Sequence, residues 1–399
     1  MAHASPDTDS PRVALVSIGI GRVQRGYERY FLDLFEAMRT IIPVTLFKGA
    51  GRCRTGERVP RGLRLAGALL RPFPLGDGLE GESYRTYRHD CAAYALCLLP
   101  ALVRGGYDII HVIDHPLARA LEKLRRVTPF RARIIFSNGW GAPPALYPNV
   151  DLVQHIARPL YDRALADGVT PSRIDFVPCG INCARFRAPA SRAALRRKHG
   201  VGENTFVLLM ISALNRYHKR VDHVIEEVSR IDGDVLLWID GNPEDPTLRE
   251  LAESRLGDRC RITHLPSEQI PELYGLSDLM VHAATTEAFG LAIVEAMSGG
   301  LFVLAHQADH FRWLVDDDDA LIDMTERGAL ARRLKDLQAR RRRSDAPFRP
   351  SDSAWRSASA FRRFDWSELA PAYRAMYHRV AGGPPALTGH VDASTATRE

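Results

Sequence analysis

The sequence predicts two consecutive α/β domains, each with a doubly wound, Rossmann-like parallel sheet. Short apolar runs alternate with stretches of helical periodicity along most of the chain, which is typical of parallel strands covered by helices. The same alternation restarts near residue 185. A chain of 399 residues is also too long for one ordinary hydrophobic core. We therefore expect two domains that face each other across a cleft.

The first half begins with the apolar run VALVSIG, which reads as a buried strand, and continues with a helix over GYERYFLDLFEAMRT. Further strands are predicted at residues 42–47, 108–114, 133–138 and 175–181, and further helices at 83–105 and 159–168. We place the first domain at residues 12–185. The segment 181–200 reads as a break between the domains.

The second half repeats the pattern, and we place its domain at residues 186–361. Its predicted strands are 205–213, 234–243, 260–265, 279–284 and 301–306, and its predicted helices are 221–231, 246–256, 267–277 and 290–300. A last helix is predicted over 362–381. The arm 1–11 and the tail 382–399 are polar or rich in Gly, Pro and Thr, so we expect both to be disordered.

Composition narrows the class of protein. The chain is 45% hydrophobic and 26% charged, has no apolar run long enough to span a membrane, and begins without the apolar core of a signal peptide. Its six cysteines fit no zinc-binding spacing and are read as reduced thiols. We therefore expect a cytoplasmic protein.

Arginines are concentrated in two places, although the net charge is only +6. They are Arg52, Arg54, Arg58, Arg61, Arg64 and Arg71 in the first half and Arg340 to Arg343 in the second. Solvated surface is the favoured interpretation, and peripheral contact with an anionic membrane or an anionic substrate is the alternative. Nucleic acid is not expected, since no stacking aromatics alternate with these arginines.

Glycines follow the first predicted strand in the sequence GIGRVQRG, at Gly19, Gly21 and Gly26. The third glycine is misplaced for the dinucleotide fingerprint GxGxxG, so an NAD-dependent oxidoreductase is only a weak alternative. The glycines are consistent with either a tight turn or a loop whose backbone N–H groups approach a phosphate.

Basic side chains follow the first strand of the second domain in SALNRYHKRVD, which contains Arg216, His218, Lys219 and Arg220. Ligands of doubly wound sheets bind at the carboxyl ends of strands. A guanidinium and an ammonium there suit a pyrophosphate, and they would stabilise the charge that grows on a leaving nucleoside diphosphate. A solvated basic turn is the alternative.

Two glutamates lie eight positions apart in EAFGLAIVEAM. If the helix begins near Gly290, Glu287 lies on the preceding loop and Glu295 on the second helical turn. The N–H groups of Gly290 and Leu291 are then free to bind a phosphate. Carboxylates are good acceptors for the vicinal hydroxyls of a ribose.

At these residues the chain resembles the retaining GT-B glycosyltransferases of family 4, whose motif is Glu-x7-Glu. The resemblance extends to FVPCGINCARF, SALNRYHKRVD, LLWIDGNPEDPTLRELA and residues 265–306 in the second half. In the first half it covers RGYERYFLDLFEAM and DIIHVIDH. The family's fold, two Rossmann-like domains facing across a cleft, agrees with the expectation from periodicity.

The resemblance implies roles for individual residues of the second domain. Glu287 would contact the donor sugar, Glu295 the nucleotide ribose and Lys219 the diphosphate. Arg216 would be the arginine partner of Lys219, although Ala213 stands where the family has its arginine and the loop is one residue longer. Gly241 belongs to the family's GxGP turn.

Correspondences in the first domain are looser. Gly26 matches the second glycine of the family's N-terminal loop, whereas Arg25 replaces the first. The family's Thr-x-His-Gly loop reads SNGWG here, which places Asn138 near the usual histidine. Asp114 and His115, at the end of a predicted strand, are further candidates for the acceptor side. His111 is as readily a buried strand histidine.

The run Asp316 to Asp319 resembles the metal-binding DxD of another class of transferases, but its position after FRWLV favours a surface loop. We expect no metal ion and no cofactor apart from the nucleotide-sugar substrate. The resemblance implies transfer of a hexosyl-type group with retention, by front-face attack and without a dedicated base. It also implies that helix 362–381 packs back on the first domain.

Two alternatives remain at this point, a nucleotide-sugar epimerase on the same scaffold and a non-catalytic nucleotide-sugar-binding protein. The acceptor could be a glycan, a lipid or a small metabolite.

Overall fold

A computed structural model describes residues 10–23, 26–63, 82–343 and 350–382. Arg25, Arg64, Arg71 and nearly all of the two predicted disordered ends lie outside the described residues. The chain divides into two compact units: unit 1 is Met1–Gly180 with Trp366–Glu399, and unit 2 is Ile181–Asp365.

These divisions fall at different residues from those predicted, which were 185 and 362. The chain enters unit 2 at Ile181 and leaves it after Asp365, and these two segments pair with each other. The N–H of Ile181 donates to the carbonyl of Phe364 (2.8 Å), and the N–H of Cys183 donates to the Asp365 carboxylate (2.9 Å). Local pairing therefore keeps both segments in unit 2 up to these residues.

Unit 1 contains a seven-stranded parallel sheet in the order β3-β2-β1-β4-β5-β6-β7. The strands are β1 (Val13–Ser17), β2 (Val44–Lys48), β3 (Glu57–Arg58), β4 (Ile109–Val112), β5 (Arg133–Asn138), β6 (Leu152–His155) and β7 (Ile174–Phe176). All residues of β1, β4 and β6 are buried, as expected where helices cover both faces of a parallel sheet.

The helices of unit 1 connect successive strands, and the last one comes from the C-terminal segment. They are α1 (Gly26–Met38), α2 (Glu82–Arg104), α3 (His115–Val127), α4 (Arg158–Ala166) and α13 (Trp366–Ala381). Sequence analysis missed β6 and α3, although Pro116 at the start of α3 and Arg125 and Arg126 in its last turn are ordinary helix signals.

Unit 2 contains a six-stranded parallel sheet in the order β10-β9-β8-β11-β12-β13. The strands are β8 (Phe206–Ile211), β9 (Val235–Asp240), β10 (Cys260–Thr263), β11 (Leu279–Val281), β12 (Phe302–His306) and β13 (Leu321–Ile322). The two sheets confirm the predicted pair of Rossmann-like α/β domains.

The helices of unit 2 are α5 (Arg192–Lys198), α6 (Val221–Val228), α7 (Thr247–Leu256), α8 (Ile270–Leu276), α9 (Leu291–Ser298), α10 (Asp309–Val315), α11 (Ala329–Arg343) and α12 (Pro350–Phe364). One sequence prediction was wrong here, because the supposed break 181–200 contains α5. The helix predicted over 362–381 is present as α13, which begins at Trp366, and residues 362–364 belong to α12. Helix α5 is fixed by Arg196, whose guanidinium is buried and donates to Asp278 (2.9 Å).

In each sheet the order in which the strands are added reverses once, while all strands stay parallel. In unit 1 the chain moves outward from β1 to β3 and then starts again on the other side of β1 with β4; in unit 2 the same reversal occurs between β8 and β11. At such a switch point the two neighbouring loops diverge and leave a crevice at the carboxyl ends of the strands. The loops after β1 and β4, and those after β8 and β11, are therefore the places where ligand contacts are expected.

Helix α13 is attached to unit 1 by a buried polar network. The Tyr373 hydroxyl donates to the Pro178 carbonyl (2.8 Å) and receives hydrogen bonds from the Gln154 amide (2.9 Å) and the Tyr30 hydroxyl (2.7 Å). The Trp366 ring stacks on Tyr30 with a centroid separation of 6.3 Å. Because these hydroxyls and amides are buried, each depends on the others for its partners.

We expect Tyr373→Phe to lower the free energy of unfolding by about 1–3 kcal/mol, because it leaves the Pro178 carbonyl and the Gln154 amide short of a partner in a buried site. Urea-induced unfolding measures the loss. Tyr217→Phe is the matched control, since that tyrosine is 85% exposed. Equal stability of the two variants would contradict the importance of the network.

His111 extends this network and should make stability depend on pH. Its Nε2 lies 2.7 Å from the Ser137 hydroxyl and its Nδ1 2.9 Å from the Tyr377 hydroxyl. Ser137 in turn donates to Gln154 (2.6 Å). Burial lowers the pKa of His111 from its ordinary value of 6.5 to about 3. The unfolded chain therefore binds a proton below pH 6.5 that the folded chain does not, and stability falls as the pH falls.

Replacing His111 by Gln removes this titration and keeps a polar side chain. The difference in unfolding free energy between wild type and His111→Gln should shift by up to about 1.4 kcal/mol per pH unit below pH 6.5, with the wild type losing stability faster. Urea titrations at pH 7, 6 and 5 measure this slope. A constant difference across the three pH values would show that His111 does not titrate as described.

Candidate functional site

Two loops meet at the switch point of unit 2. The loop after β8 contains the basic segment 212–220, and the loop after β11 runs from His282 to Gly290 at the start of α9. Since β8 and β11 are hydrogen-bonded neighbours, their carboxyl ends lie side by side. The fold therefore brings together two segments that are about 70 residues apart in sequence.

Lys219 and Glu287 form the central contact between these loops. The Lys219 ammonium donates to Glu287 Oε1, and the side chains are 19% and 10% exposed. His282 Nε2 lies 3.2 Å from the same oxygen. His218 adds a second contact between the two loops, because its ring donates a hydrogen bond to the carbonyl of Thr286 (3.0 Å). Both predicted residues, Lys219 and Glu287, are thus in direct contact.

The protonation of this cluster follows from its surroundings. Burial alone would raise the pKa of Glu287, but His282 and the Lys219 ammonium outweigh burial and hold this pKa well below its usual range. Burial lowers the pKa of His282, and Glu287 offsets this only in part. At neutral pH the cluster is therefore an ionised carboxylate, an ammonium and a neutral imidazole.

The backbone of the basic loop is held by Asn215. Its side-chain oxygen accepts from the N–H groups of His218 (3.1 Å) and Lys219 (2.8 Å), and its amide donates to Glu244 (2.8 Å). Arg220, which caps α6, has a left-handed conformation with φ of 54°. This conformation costs a non-glycine residue roughly 1–2 kcal/mol, and such strain is often found at functional sites.

Arg216 points to a different set of partners. Its guanidinium donates to Asp245 (2.9 Å) and to the Thr247 hydroxyl (2.9 Å), and it lies 3.8 Å from Asp222. The structure therefore joins Arg216 to the start of α7, whereas Lys219 faces Glu287. The predicted pairing of Arg216 with Lys219 at one phosphate remains a prediction.

Helix α9 begins one residue after Gly290, close to the predicted position. Gly290 has φ of 99°, which a residue with a side chain seldom adopts, and this conformation turns the loop into the helix. Its N–H and that of Leu291 precede the first intrahelical hydrogen bonds and are available to an anion. Glu295 lies on the second turn, where its carboxylate accepts from the Tyr274 hydroxyl (2.9 Å).

Gly241 directly follows β9, at a point of close backbone approach. A Cβ atom at this position would overlap the carbonyl oxygen of Ser212 in the basic loop. The N–H of Gly241 donates to Thr263 (3.0 Å). Glycine is therefore required here for packing between neighbouring strand ends, which leaves its predicted role at the donor as a prediction.

The predicted residues of unit 1 differ in exposure. Gly26 is exposed at the start of α1, whereas Asp114, His115 and Asn138 are buried. Asp114 accepts from the N–H of Ile18 (3.2 Å) and from the Tyr87 hydroxyl, and His115 donates to the carbonyl of Leu146 (2.7 Å). Asp114, His115 and Asn138 thus make hydrogen bonds within unit 1 at the carboxyl edge of the sheet. Their contact with an acceptor remains a prediction.

Asn138 closes the loop that follows β5. Its amide donates to the carbonyl of Ala142 (3.0 Å) and its oxygen accepts from the N–H of the same residue (2.8 Å). Both ends of the amide are therefore engaged by one residue four positions later.

The remaining candidates are surface features or core residues. The run Asp316 to Asp319 is largely exposed. Its Asp318 pairs with Arg312 of the preceding helix. No group of three or more potential metal-ligating side chains comes together in the described parts of the chain. His111 is a buried core histidine, as one of the two interpretations held.

Three members of the two arginine clusters form ion pairs with acidic residues. Arg54 pairs with Glu57 (3.0 Å), Arg340 with Asp336 (2.9 Å) and Arg341 with Asp278 (3.0 Å). Across residues 10–23, 26–63, 82–343 and 350–382, no helix combines the length and apolarity required to cross a bilayer.

Sequence reasoning missed two residues of the cluster, His282 and Asn215. His282 directly follows β11, and a histidine at a strand's carboxyl end near two candidate acids was the available signal. Asn215 gave a weaker signal, since asparagine in a loop commonly bonds to backbone N–H groups two or more residues later.

Residues 191–347 match the family described as Glycosyl transferases group 1. D-inositol 3-phosphate glycosyltransferase of Pseudarthrobacter chlorophenolicus is 33% identical over 150 residues, which are 35% of this chain and 35% of that protein. The enzyme of that name from Xylanimonas cellulosilytica is 25% identical over 438 aligned positions, covering 96% of this chain and 100% of that protein.

Solved structures resemble the whole fold at low sequence identity. Sucrose-phosphate synthase from Thermosynechococcus elongatus gives a TM-score of 0.75 at 17% identity, covering 93% of this chain and 99% of that one. HepE from Anabaena, in complex with UDP-glucose, gives 0.66 at 17% identity, covering 93% of this chain and 98% of that one.

The alignments to the first relatives span between 35% and 42% of those proteins. The matched region lies within unit 2, which contains the Lys219–Glu287 cluster. Residues 191–347 are therefore similar to the family described as Glycosyl transferases group 1, and the solved structures share the fold of the chain.

A double-variant cycle tests the energetics of the central pair. Glu287→Gln and Lys219→Met each leave one member of a mostly buried ion pair without its partner, so each should lower the free energy of unfolding by about 1–3 kcal/mol. The double variant should lose less than the sum of the two, because the orphaned charge disappears. Urea-induced unfolding at pH 7 provides the measurement.

Arg312→Ala is the control for this cycle. It breaks the exposed Arg312–Asp318 pair in the same unit and should change stability by less than about 1 kcal/mol. Strictly additive losses at residues 287 and 219 would contradict an energetic coupling between them.

Proposed function

We propose that this chain transfers a sugar from a nucleoside-diphosphate sugar to an acceptor hydroxyl, with retention of configuration at the anomeric carbon, as a member of family 4. The observation that carries the proposal is the Lys219–Glu287–His282 cluster beside the N-terminus of α9, at the switch point of unit 2. The cluster brings a cation from one loop and a carboxylate from the other next to a helix N-terminus, and Glu295 adds a second carboxylate on that helix.

The chemistry of a donor matches these groups one by one. The Lys219 ammonium and the N–H groups of Gly290 and Leu291 would bind the diphosphate, and their attraction would grow as the leaving group gains charge. Glu295, one turn further along α9, would accept hydrogen bonds from the ribose hydroxyls. Glu287, which stays ionised, would accept from hydroxyls of the transferred sugar.

In this proposal the acceptor oxygen forms a bond to the anomeric carbon while the bond from that carbon to the phosphate oxygen breaks. The acceptor proton passes to the leaving phosphate, so no side chain acts as a base. Charge compensation comes from this chain's own cation and backbone dipoles, without a metal ion. Because no metal ion takes part in this proposal, we expect EDTA to leave the transfer activity unchanged.

The relatives support a nucleotide-sugar donor. HepE was solved with UDP and with UDP-glucose. Two of the similar proteins are a D-inositol 3-phosphate glycosyltransferase and a lipopolysaccharide glucosyltransferase. We therefore propose UDP-glucose as the first donor to test, with GDP- and ADP-sugars as comparisons. We propose that the protein acts in the cytoplasm.

Donor binding is tested by thermal denaturation with UDP-, GDP- and ADP-sugars, and with NAD as the control for a dinucleotide enzyme. We expect one nucleotide sugar to raise the melting temperature by a concentration-dependent amount, because a ligand that binds only the folded state stabilises it. A rise with NAD alone, or with none of the ligands, would overturn the proposal.

Variants then assign the roles. Glu295→Ala should weaken nucleotide binding about 10- to 100-fold, and Glu295→Gln less, since glutamine keeps an acceptor for Tyr274. Lys219→Ala should lower the turnover number about 100- to 1,000-fold. Glu253→Ala and Lys335→Ala, on exposed helical positions of unit 2, are the matched controls.

Retention is read from the anomeric configuration of the product. Product analysis without an acceptor separates transfer from epimerisation, because an epimerase would change the donor sugar itself. Wild-type transfer by both Lys219→Ala and Glu295→Ala would show that the site has been placed wrongly.

A further inference from the structure

Trp140 is an exposed indole at the carboxyl edge of the sheet in unit 1. It lies two residues after the end of β5 and is 44% exposed. In the order β1-β4-β5, this loop is the neighbour of the loop after β4, which flanks the switch point of this sheet. It lies at the carboxyl edge, where ligands of doubly wound sheets bind.

The loop that carries Trp140 is held rigidly from both sides. The two hydrogen bonds between the Asn138 amide and Ala142 close it, and the N–H of Gly139 donates to Ser137 (2.8 Å). A Cβ atom at residue 139 would lie 3.1 Å from the Tyr27 ring and 3.3 Å from Ile113, so the backbone packs directly on α1 and on the end of β4. The indole therefore has a fixed support.

His115 supports the indole itself. The two rings meet edge to face, with centroids 5.7 Å apart and an interplanar angle of 70°. His115 is buried, and its Nε2–H donates to the Leu146 carbonyl (2.7 Å), which fixes the orientation of the imidazole. An aromatic platform that is ordered before binding loses little conformational entropy when a ligand covers it.

Two of the exposed large hydrophobics of unit 1 lie away from Trp140. The other exposed large hydrophobics that the structure describes in unit 1 are Val23, Leu96, Val103 and Val127. Val103 and Val127 lie in the last turns of α2 and α3, each of which ends just before a following strand begins. They are therefore at the amino edge of the sheet, opposite Trp140. A single rigid indole fits a small ligand with one apolar face better than it fits a membrane.

We propose that Trp140 is the platform on which the acceptor binds, and that the acceptor presents the C–H face of a pyranose ring to the indole. Sugar C–H groups carry partial positive charge, and the face of an aromatic ring is negative, so the two attract while the ring hydroxyls stay in water. This inference rests on the proposed function, whose donor site lies in unit 2. Asn138 and His115 act as positioning residues for the platform.

The first test reads sugar binding without any donor. Wild type and Trp140→Phe are titrated with methyl β-D-glucopyranoside and methyl α-D-mannopyranoside up to 100 mM, and tryptophan fluorescence is recorded. Subtracting the variant isolates the signal of Trp140 from that of the other tryptophans among the chain's five. We expect a saturable change in the difference signal with at least one glycoside. A flat difference signal with both glycosides would overturn the proposal.

A parallel titration with phosphatidylglycerol vesicles separates a lipid contact from a sugar contact. No change of the Trp140 signal with vesicles supports the proposal. A change with vesicles and none with the glycosides would overturn it, because the indole would then be a membrane contact.

The second test measures transfer by the full chain, with the donor that raises the melting temperature and a methyl glycoside as acceptor. Trp140→Ala should raise the acceptor KM about 10-fold or more, and Trp140→Phe less, because phenylalanine keeps an aromatic face. The shift in melting temperature with the donor should be unchanged in both variants. Leu96→Ala is the matched control, since Leu96 is 41% exposed in the same unit.

An unchanged acceptor KM in Trp140→Ala, alongside measurable transfer by wild type, would overturn the platform and leave the proposed function standing. Absence of any donor effect in wild type would instead overturn the proposed function, and the fluorescence titration would still decide whether Trp140 binds a sugar.

Discussion

The ionised carboxylate of Glu287 is the constraint on which the arrangement of unit 2 depends. A carboxylate that is only 10% exposed must be compensated by nearby charge or hydrogen bonds, or it becomes protonated. The compensation comes from Lys219 in the loop after β8 and from His282 at the end of β11. Those two strands, β8 and β11, are neighbours only because the strand order of the sheet reverses between them. A chemical requirement at one residue is therefore met by the topology of the whole sheet.

Both loops contain a backbone geometry that local preferences disfavour. Gly290 turns the acidic loop into α9 with φ of 99°, where glycine removes the strain, whereas Arg220 adopts φ of 54° with a full side chain. Arg220 directly follows Lys219, whose N–H is fixed by Asn215. Departures from local rules are expected where a site imposes its own geometry, and here they lie on either side of the same ion pair.

The sequence predicted the fold through periodicity, because buried parallel strands such as β8 and β9 leave uninterrupted apolar runs. It also placed Glu287 on a loop and Glu295 on a helix, since a glycine between them marks the helix start. It did not show that Arg216 turns to Asp245, because a cation's partner depends on which acidic residue the fold brings near. For the same reason it could not tell that Asp114 and Asn138, at strand ends, point inward to backbone partners.

The carboxyl edges of the two sheets carry different kinds of group. In unit 2 the switch point offers an ammonium and a helix N-terminus, which recognise negative charge. In unit 1 the ionisable Asp114 and His115 are engaged by internal hydrogen bonds, and the exposed group on the rigid loop is the indole of Trp140. In the function we propose, the donor is held by charge, and the acceptor must keep enough freedom to present a hydroxyl. Stacking on an aromatic face meets the second need, because it fixes the plane of a sugar ring without fixing its rotation in that plane.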